Sequence, residues 1–378
     1  TLSAYGTWSG GRFMQYGEKL DEARFIESIQ YAYSQGIRTF VTADVYGYGE
    51  SDSLLGQALK DFPRDSYSLV GAIGHDFYKG ERQGNKGFPR FTNPTLRGEE
   101  EYASYLREAA EKSLERLGTT HFDLIFLHNP DRRGYRSPVV WDAMKSLKTG
   151  GLTRLLGVAP GPANGFVLDL IGLFEDYGNL IDWAMVIFSP FEPWPAKYYL
   201  KAAEKHNVKI MTRVVDFGGI FFDDVKPGHQ FARMDHRTYR PAGWVEEGVA
   251  KLEKIRPYAT KHGLTMFQLA AVWNLSHPAV HSVVPTIIQE IGENARPMKS
   301  KIDELAALEK LPVREILSPE EVSAMETIGD NTGCMELKGG NAHFQDEVAD
   351  SWPLDDKLID IARRWGVDPV KDLGYRHG

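Results

Sequence analysis

Four side chains that can move a proton or hold an anion stand at, or just after, the ends of short β-branched runs. Tyr46 and His128 offer a phenol and an imidazole, and His75 offers a second imidazole. A histidine with an ordinary pKa of about 6.5 titrates close to neutral pH and can act as an acid or a base. Arg213 offers a guanidinium, which binds carboxylates and phosphates through two parallel hydrogen bonds. These four residues are the candidate catalytic groups.

Each candidate also has a purely structural interpretation. Tyr46 and His128 are otherwise remnants without a chemical role, and His75 is otherwise a solvent-exposed loop histidine. Arg213 either binds an anion or forms a salt bridge to a neighbouring acid such as Asp216. The elements that carry these residues bear on the choice, because side chains at the carboxyl ends of barrel strands usually belong to a site.

The elements alternate between strand and helix along the whole chain. Short runs rich in β-branched residues predict strands at 2–7, 39–43, 68–73, 124–128, 155–158, 183–187, 209–213 and 282–285. Amphipathic stretches between them predict helices at 21–34, 99–117, 138–148, 165–177, 196–206 and 244–262. Alternation of this kind is typical of βα units and a parallel sheet. Eight such units predict an α/β fold, a (β/α)8 TIM barrel with additions.

No linker rich in Gly, Ser or Pro divides the chain, so residues 1–330 are predicted to form one barrel domain. Residues 331–378 are predicted to be a C-terminal extension that covers the pocket. Segments 75–97 and 214–242 exceed ordinary loop length. Long loops in compact domains are usually functional or disordered, and these two are expected over the carboxyl ends of the strands.

Composition excludes several classes of protein. The 378 residues carry a formal net charge of −8, which argues against a nucleic-acid-binding protein. The single cysteine, Cys334, excludes a disulfide framework and a multi-cysteine metal site. No run approaches 18 apolar residues, so no membrane span is predicted. The chain begins at Thr1 without a basic-then-apolar leader, and the sequence leaves open whether a segment before Thr1 has been removed. We therefore expect a cytoplasmic protein with a small-molecule substrate. The sequence leaves its oligomeric state open.

Further side chains are candidates for binding substrate. Trp8, Phe77 and Trp194 are candidate walls for a ring or a sugar, although scattered aromatic residues lie more often in the core. Asp216 is a candidate polar contact to the substrate. A mixed histidine and aspartate group in the loop 214–242 has the ligand types of zinc or manganese, but such spacings arise often by chance, and we predict no metal.

Several motifs, in a fixed order, resemble the aldo-keto reductase superfamily. The segment 40–56, which reads F-V-T-A-D-V-Y-G and continues to S-D-S-L-L-G, resembles the family's F-D-T-A-x-x-Y-G and S-E-x-x-L-G. Segment 116–131 resembles R-L-x-x-x-x-x-D-L-x-x-x-H-x-P-D, and segment 150–158 resembles the G-K-I-R-x-I-G-V strand. The likeness extends over about residues 2 to 330, and it implies an NAD(P)-dependent carbonyl reductase.

The resemblance also implies a catalytic tetrad of Asp, Tyr, Lys and His, of which this chain retains two members. Tyr46 and His128 match the tyrosine and the histidine, whereas Val41 and Ala72 stand at the aspartate and lysine positions. Either charge alone would be an uncompensated buried charge, which costs about 3–5 kcal/mol. Loss of both together predicts a remodelled site. Without the lysine, the pKa of Tyr46 is expected near its reference value of about 10.

The positions that hold the nicotinamide cofactor in the family differ as well. The resemblance implies a Ser-Asn pair after the fifth strand, where this chain has Ala159-Pro160. The family's glutamine on strand six aligns with Met185 or Val186. The turn after the eighth strand, 285–289, lacks both glycine and a basic residue and is a poor cradle for phosphates. We therefore predict no cofactor, with NADP or NAD the alternative that the family implies.

Three hypotheses for function follow. The first is an enzyme with an altered tetrad that transfers protons, in an elimination or isomerisation on a small carbonyl or sugar-like substrate. The second is an NAD(P)H-dependent carbonyl oxidoreductase with an atypical tetrad. The third is a non-catalytic binding subunit. Binding of NADPH and NADH separates the second hypothesis from the first, and turnover separates the third from both.

Overall fold

Eight parallel strands form a barrel, as predicted. The structure is a computed structural model that describes residues 1–82, 87–161, 166–332 and 354–374. Each strand pairs in parallel with the next along the chain, and a parallel bridge between Ser3 and Val283 joins the last strand to the start of the first. The strands are β1 Tyr5–Gly6, β2 Thr39–Val41, β3 Ser68–Ile73, β4 Phe122–His128, β5 Thr153–Ala159, β6 Trp183–Ile187, β7 Lys209–Arg213 and β8 Val280–Val284.

Twelve helices in the described ranges surround the strands or extend the chain beyond them. Good capping residues begin several of them, as at Ser318, whose side chain accepts from the Glu321 N–H in a capping box. The helices are α1 Glu22–Ser34, α2 Glu50–Leu59, α3 Tyr102–Leu117, α4 Arg132–Arg136, α5 Pro138–Thr149, α6 Val167–Tyr177, α7 Lys197–Lys205, α8 Trp244–His262, α9 Met266–Leu275, α10 Met298–Ala307, α11 Pro319–Gly329 and α12 Asp356–Trp365.

The predicted elements differ from the observed ones in a few places. The first predicted strand, 2–7, is reduced to Tyr5–Gly6 and the bridge at Ser3. The predicted helix 165–177 starts at Val167, and its first predicted residue lies outside the described ranges. The apolar stretch Met266–Leu275 is a separate helix, buried along its length, so it lacks the polar face that identifies a surface helix in a sequence.

Apolar side chains form two layers on either side of the barrel wall. The larger layer packs between the strands and the helices. The smaller one, which we call the interior cluster, fills the inside of the barrel. It consists of Ala4, Trp8, Val41, Ala43, Val70, Ala72, Leu124, Phe126, Ala159, Met185, Met211 and Val284. Alternation of side chains along each strand sends successive residues to opposite layers. Phe40 therefore joins the outer layer and Val41 the interior cluster.

The described part of the C-terminal segment packs on the outside of the barrel. Helix α12 lies against α6, where the Ile361 side chain fits over Gly172. Asp355 caps α12 and forms an ion pair with Arg136 at 2.5 Å. Residues 333–353 and 375–378, with Cys334, lie outside the described ranges, so the predicted cover over the pocket stays a prediction. Within the described ranges no helix has the length and apolarity that a membrane crossing requires.

Candidate active site

A cavity of about 540 Å³ opens at the carboxyl ends of the strands. This size is within the usual range for small-molecule sites. The structure brings together six of the eight residues singled out from the sequence. All six line this cavity: Trp8, Tyr46, His75, His128, Arg213 and Asp216. They follow or end strands of the barrel, and the closed parallel barrel places those strand ends on one face.

Phe77 and Trp194 lie elsewhere. Phe77 packs against Tyr48 and Phe88, with ring centroids 6.3 and 6.1 Å away, and these two neighbours rather than Phe77 itself line the cavity. Trp194 is buried beneath the C-terminal segment, where its indole Nε1–H donates to the Asp372 carbonyl at 2.6 Å. Its observed place is that of a core residue, which was the alternative interpretation of these aromatic side chains.

Tyr46 is the first residue of a tight 3-10 turn, Tyr46–Gly49, that links β2 to α2. The left-handed conformation of Gly47, with φ of 60°, lets the chain reverse there. The Tyr46 ring packs edge-on against Trp8 and against His128, with centroid separations of 6.4 and 6.1 Å. Burial raises its pKa to about 12, against the opposing effect of the Arg213 charge. This value exceeds the sequence expectation of about 10, because the apolar interior cluster beside the ring stabilises the neutral phenol.

His128 ends β4 and faces the same cavity. Its ring lies edge-on to the His75 ring, with centroids 4.8 Å apart. Its Nδ1 is buried and has no hydrogen-bond partner among the described residues. Burial lowers the pKa of His128 well below its usual value, and the nearby His75 and Arg213 charges act in the same direction. His128 is therefore a neutral imidazole at pH 7 with capacity to accept a proton.

Both ring nitrogens of His75 have hydrogen-bond partners. Its Nδ1 lies 2.9 Å from the Phe88 carbonyl, and its Nε2 lies 3.0 Å from the Asn129 side-chain nitrogen. The amide nitrogen can only donate, so Nε2 accepts and Nδ1 carries the proton. Burial lowers the pKa of His75 to about 4, with the Arg90 charge adding to the effect. His75 is therefore buried rather than solvent-exposed. It holds Asn129 through a hydrogen bond and His128 through a ring contact.

Arg213 ends β7 and projects across the cavity. Its Nη2 donates to the Pro160 carbonyl at 3.1 Å, and the described residues place no carboxylate oxygen within salt-bridge distance. The ion pair with Asp216 does not form. Asp216 is fully buried and accepts from the backbone N–H groups of Gly219 at 3.0 Å and Thr286 at 2.8 Å. Asp216 therefore ties the loop after β7 to the turn after β8, and Arg213 keeps most of its donors.

The structure adds cavity residues that the sequence did not single out. Tyr16, Asn129 and Arg240 line the cavity from loops. Tyr16 comes from the loop after β1, which the segment 214–242 holds in place through a hydrogen bond from the Gly17 N–H to Asp235 Oδ2 at 2.7 Å. No local pattern identifies these residues, because their placement depends on contacts between distant segments.

Val41 and Ala72, which the motif resemblance places at the aspartate and lysine positions of the tetrad, belong to the interior cluster. They are 0% and 2% exposed, and Tyr46 packs against the same cluster. Val41 pairs with Val70 on the neighbouring strand, two residues before Ala72. An aspartate or a lysine introduced here would meet apolar neighbours, so valine and alanine avoid an uncompensated buried charge at these two positions.

A nicotinamide dinucleotide requires backbone N–H groups that are available to its phosphates. After β8, the Thr286 N–H donates to Asp216, and the Ile287 N–H donates to Ser9 Oγ at 3.0 Å. The nearby Lys301 ammonium is fully buried and paired with Asp224 at 2.6 Å. These residues do not fit the phosphate site that the family resemblance implies, since the donors already have protein partners and Asp216 adds a carboxylate.

The described residues contain no group of three His, Cys, Asp or Glu side chains arranged to hold a metal ion. The loop histidine and aspartate considered in the sequence have other partners. His229 Nε2 lies 3.4 Å from Glu290 Oε2, and Asp235 pairs with Arg237 at 2.8 Å. This buried network joins the loop 214–242 to the turn after β8.

A (β/α)8 barrel in which a tyrosine and a histidine face a cavity at the strand ends is the architecture that the sequence motifs predict. The chain belongs to the Aldo/keto reductase family, whose sequence pattern matches residues 4–311. This confirms the resemblance drawn from the motifs.

Individual relatives differ in what their names describe. A versiconal hemiacetal acetate reductase from Aspergillus parasiticus is 26% identical over 353 residues, covering 82% of this chain and 88% of the relative. A probable voltage-gated potassium channel subunit beta from Oryza sativa subsp. japonica is 23% identical over 336 residues, covering 86% and 92%. A solved aldo/keto reductase from Klebsiella pneumoniae, in complex with NADP and acetate, shares the fold with a TM-score of 0.56 at 19% identity, covering 86% and 90%.

Proposed function

We propose that this protein transfers protons rather than hydride, and that it catalyses an elimination or isomerisation next to the carbonyl of a small, sugar-like substrate. The observation that carries the proposal is the pairing of a protonated phenol, Tyr46, with a neutral imidazole, His128, on one cavity with ring centroids 6.1 Å apart. Proton-transfer chemistry requires only an acid and a base in position.

In the proposed reaction, the Tyr46 hydroxyl donates a hydrogen bond to the substrate's carbonyl oxygen. His128 accepts the proton from the adjacent carbon, and the C–H electron pair forms a carbon–carbon double bond as the oxygen gains negative charge. A donor fixed where that charge develops stabilises the transition state. Return of the proton to the former carbonyl carbon, with transfer of the neighbouring hydroxyl's proton to the carbonyl oxygen, gives isomerisation. Alternatively, the enolate re-forms the carbonyl and a leaving group departs from the next carbon with its electron pair, which gives elimination.

The raised pKa of Tyr46 supports its role as the donor. Ionising a phenol with a pKa of about 12 at pH 7 costs about 7 kcal/mol, so the hydroxyl keeps its hydrogen. No hydroxyl or carboxylate of the described residues satisfies it, which leaves the donor to a substrate. The lowered pKa of His128 keeps the imidazole unprotonated at pH 7, and it makes this imidazole a weaker base than an exposed histidine.

The test is exchange of substrate carbon-bound hydrogen in D2O, followed by NMR with a panel of aldoses, ketoses and their acids. The Tyr46→Phe variant keeps the ring and loses the donor, and we expect its exchange rate to fall at least about 100-fold. Tyr177→Phe, on the outer surface of α6, is the matched control and should retain the wild-type rate. Full exchange by the Tyr46→Phe variant would contradict the proposed role.

The second candidate is an NAD(P)H-dependent carbonyl oxidoreductase with an atypical tetrad, and it is favoured by the reductase names among the relatives. Calorimetry with NADPH and NADH separates the two candidates, on protein first checked by absorbance for bound nucleotide. Micromolar affinity would support the oxidoreductase. Absence of binding at millimolar nucleotide would exclude hydride transfer from an added cofactor and support proton transfer.

A third candidate, a non-catalytic binding subunit, is favoured by the similarity to the potassium channel subunit named above. Purified protein that turns over no substrate in the panel, and that co-purifies with a single partner from its native extract, would support it. Detectable exchange that disappears in the Tyr46→Phe variant would exclude it.

A further inference from the structure

Five arginines line the cavity, and four of them fall into two groups by the charge that surrounds them. Arg12 is paired with Glu50 and Glu22, and Arg237 is paired with two carboxylates. Arg213 and Arg240, by contrast, have no carboxylate oxygen within 4.0 Å in the parts of the chain that the structure describes. The same cavity therefore contains arginines that are paired with a carboxylate and arginines that are not, which we call unmatched.

Neutral groups hold both unmatched guanidiniums in place. Arg213 makes one hydrogen bond, to the Pro160 carbonyl. Arg240 lies over the rings of Phe217 and Trp244, at 5.0 and 4.7 Å from their centroids, and its Nη1 is buried without a hydrogen-bond partner among the described residues. A guanidinium has five N–H donors. Most of the donors of these two side chains therefore have no acceptor among the residues that the structure describes.

The two arginines act on the same region of the cavity. Both interact electrostatically with the Tyr16 phenol. The Arg240 charge lowers the pKa of Tyr16, and the Tyr16 phenolate would raise the pKa of Arg213. Arg213 also interacts with Tyr46. Both guanidiniums thus lie near the Tyr16 phenol, and Arg213 also lies near the proposed acid, Tyr46.

Besides Glu50, which pairs with Arg12, two acids line the cavity, and neither forms an ion pair with Arg213 or Arg240. Asp216 accepts from two backbone N–H groups, which compensate its charge. Glu192 is fully buried at the cavity wall, beyond salt-bridge distance from Arg213. Glu192 acts on Arg213, and Asp216 on Arg240, only from beyond 4.0 Å. A partly buried cation without a contacting counter-charge is costly, and a bound anion with two oxygens would reduce that cost while accepting from the guanidinium donors.

We propose that Arg213 and Arg240 form an anion subsite that binds the carboxylate of a sugar acid. The proposal rests on the proposed function, which places the substrate's carbonyl at Tyr46 and His128, and it names the substrate class of that site. The planar carboxylate matches the fork of a guanidinium through two parallel hydrogen bonds. The aromatic rings beneath Arg240 hold its plane fixed, which favours bidentate recognition.

The test is equilibrium binding without turnover. Calorimetry compares three probes of similar size: D-glucuronate, D-glucose 6-phosphate and neutral D-glucose. We expect wild-type protein to bind D-glucuronate at least tenfold more tightly than D-glucose. The Arg213→Gln and Arg240→Gln variants should each lose most of that preference. Arg363→Gln, which removes one charge from a largely exposed position on α12, should keep it.

Each result decides a separate point. Equal affinity for D-glucuronate and D-glucose, absence of saturable binding of either anion, or an unchanged preference in a folded Arg213→Gln variant would overturn the proposal. Tighter binding of D-glucose 6-phosphate than of D-glucuronate would overturn the carboxylate assignment. Arginine-dependent binding without any exchange in D2O would uphold the subsite and refute the proton-transfer function, so the two failures are distinguishable.

Discussion

Restoring the two charged residues that the family pattern carries at positions 41 and 72 should reveal why the chain lacks both. Val41→Asp places a carboxylate in the interior cluster, where Val41 is 0% exposed. Ala72→Lys places an ammonium on the next strand, where Ala72 is 2% exposed. Since β2 and β3 pair in parallel with Val41 opposite Val70, both new side chains enter the same interior space.

The expected magnitudes follow from burial of a lone charge. Val41→Asp alone should lower the free energy of unfolding by about 3–5 kcal/mol, and Ala72→Lys should do so by a similar amount. The double variant should be less destabilised than the sum of the two by about 2–3 kcal/mol, because each charge then has a partner. Val41→Asn is the uncharged control of matching shape, and it should lack this coupling with Ala72→Lys.

Urea unfolding of the wild-type, single and double variants measures the coupling directly. Its pH dependence gives an independent check. In the Val41→Asp variant, burial of the new carboxyl without a partner would raise its pKa above the unfolded value, so the folded state would bind the proton more strongly. The destabilisation should therefore grow as pH rises from about 4 to 7. A Val41→Asp variant that loses less than about 1 kcal/mol, or a double variant whose loss equals the sum, would refute the reasoning.

Two further predictions concern histidine burial and backbone packing. The pKa of His75 is lowered to about 4, so the unfolded chain binds a proton that the folded state excludes as pH falls from about 6.5. The free energy of unfolding of the wild-type protein should therefore fall by about 3 kcal/mol between about pH 7 and 4, and His75→Asn should remove this loss. Urea unfolding of both proteins across this pH range measures it. If the two proteins lose stability in parallel, the assignment is contradicted. Gly329→Ala places a Cβ 1.7 Å from the Pro190 carbonyl oxygen, so it should cost at least about 2 kcal/mol. The exposed Ser323→Ala on the same helix should be nearly neutral by thermal unfolding, and equal melting temperatures for both variants would contradict the close packing.

The barrel could be predicted because its signal is local and repeated. Eight β-branched runs alternate with amphipathic stretches. Eight parallel strands in sequential order, joined by helices, form a closed (β/α)8 barrel. The least predictable helix was Met266–Leu275, since it is buried along its length and therefore carries no polar face. The first strand was predicted too long, because pairing across the closure of the barrel is limited to a bridge at Ser3.

The cavity was only partly predictable. Tyr46, His128 and Arg213 follow strand ends, and the barrel places strand ends together whatever the loops do. Arg240 lies far along the loop after β7, and its place depends on ion pairs and ring contacts between distant segments. The same holds for Trp194, whose aromatic character fits a pocket wall as well as a core. Its contact with the Asp372 carbonyl is visible only in three dimensions.

The sequence by itself determined the parallel barrel, the family, and the position of a phenol and an imidazole at the mouth of that barrel. Strand periodicity and motif order are properties of neighbouring residues, so one chain is enough to read them. Tertiary structure alone decided the charge state and the partners of those groups. Burial raises the pKa of Tyr46 and lowers that of His128, and no described acid comes within salt-bridge distance of Arg213. Both outcomes depend on which distant residues come within a few ångströms.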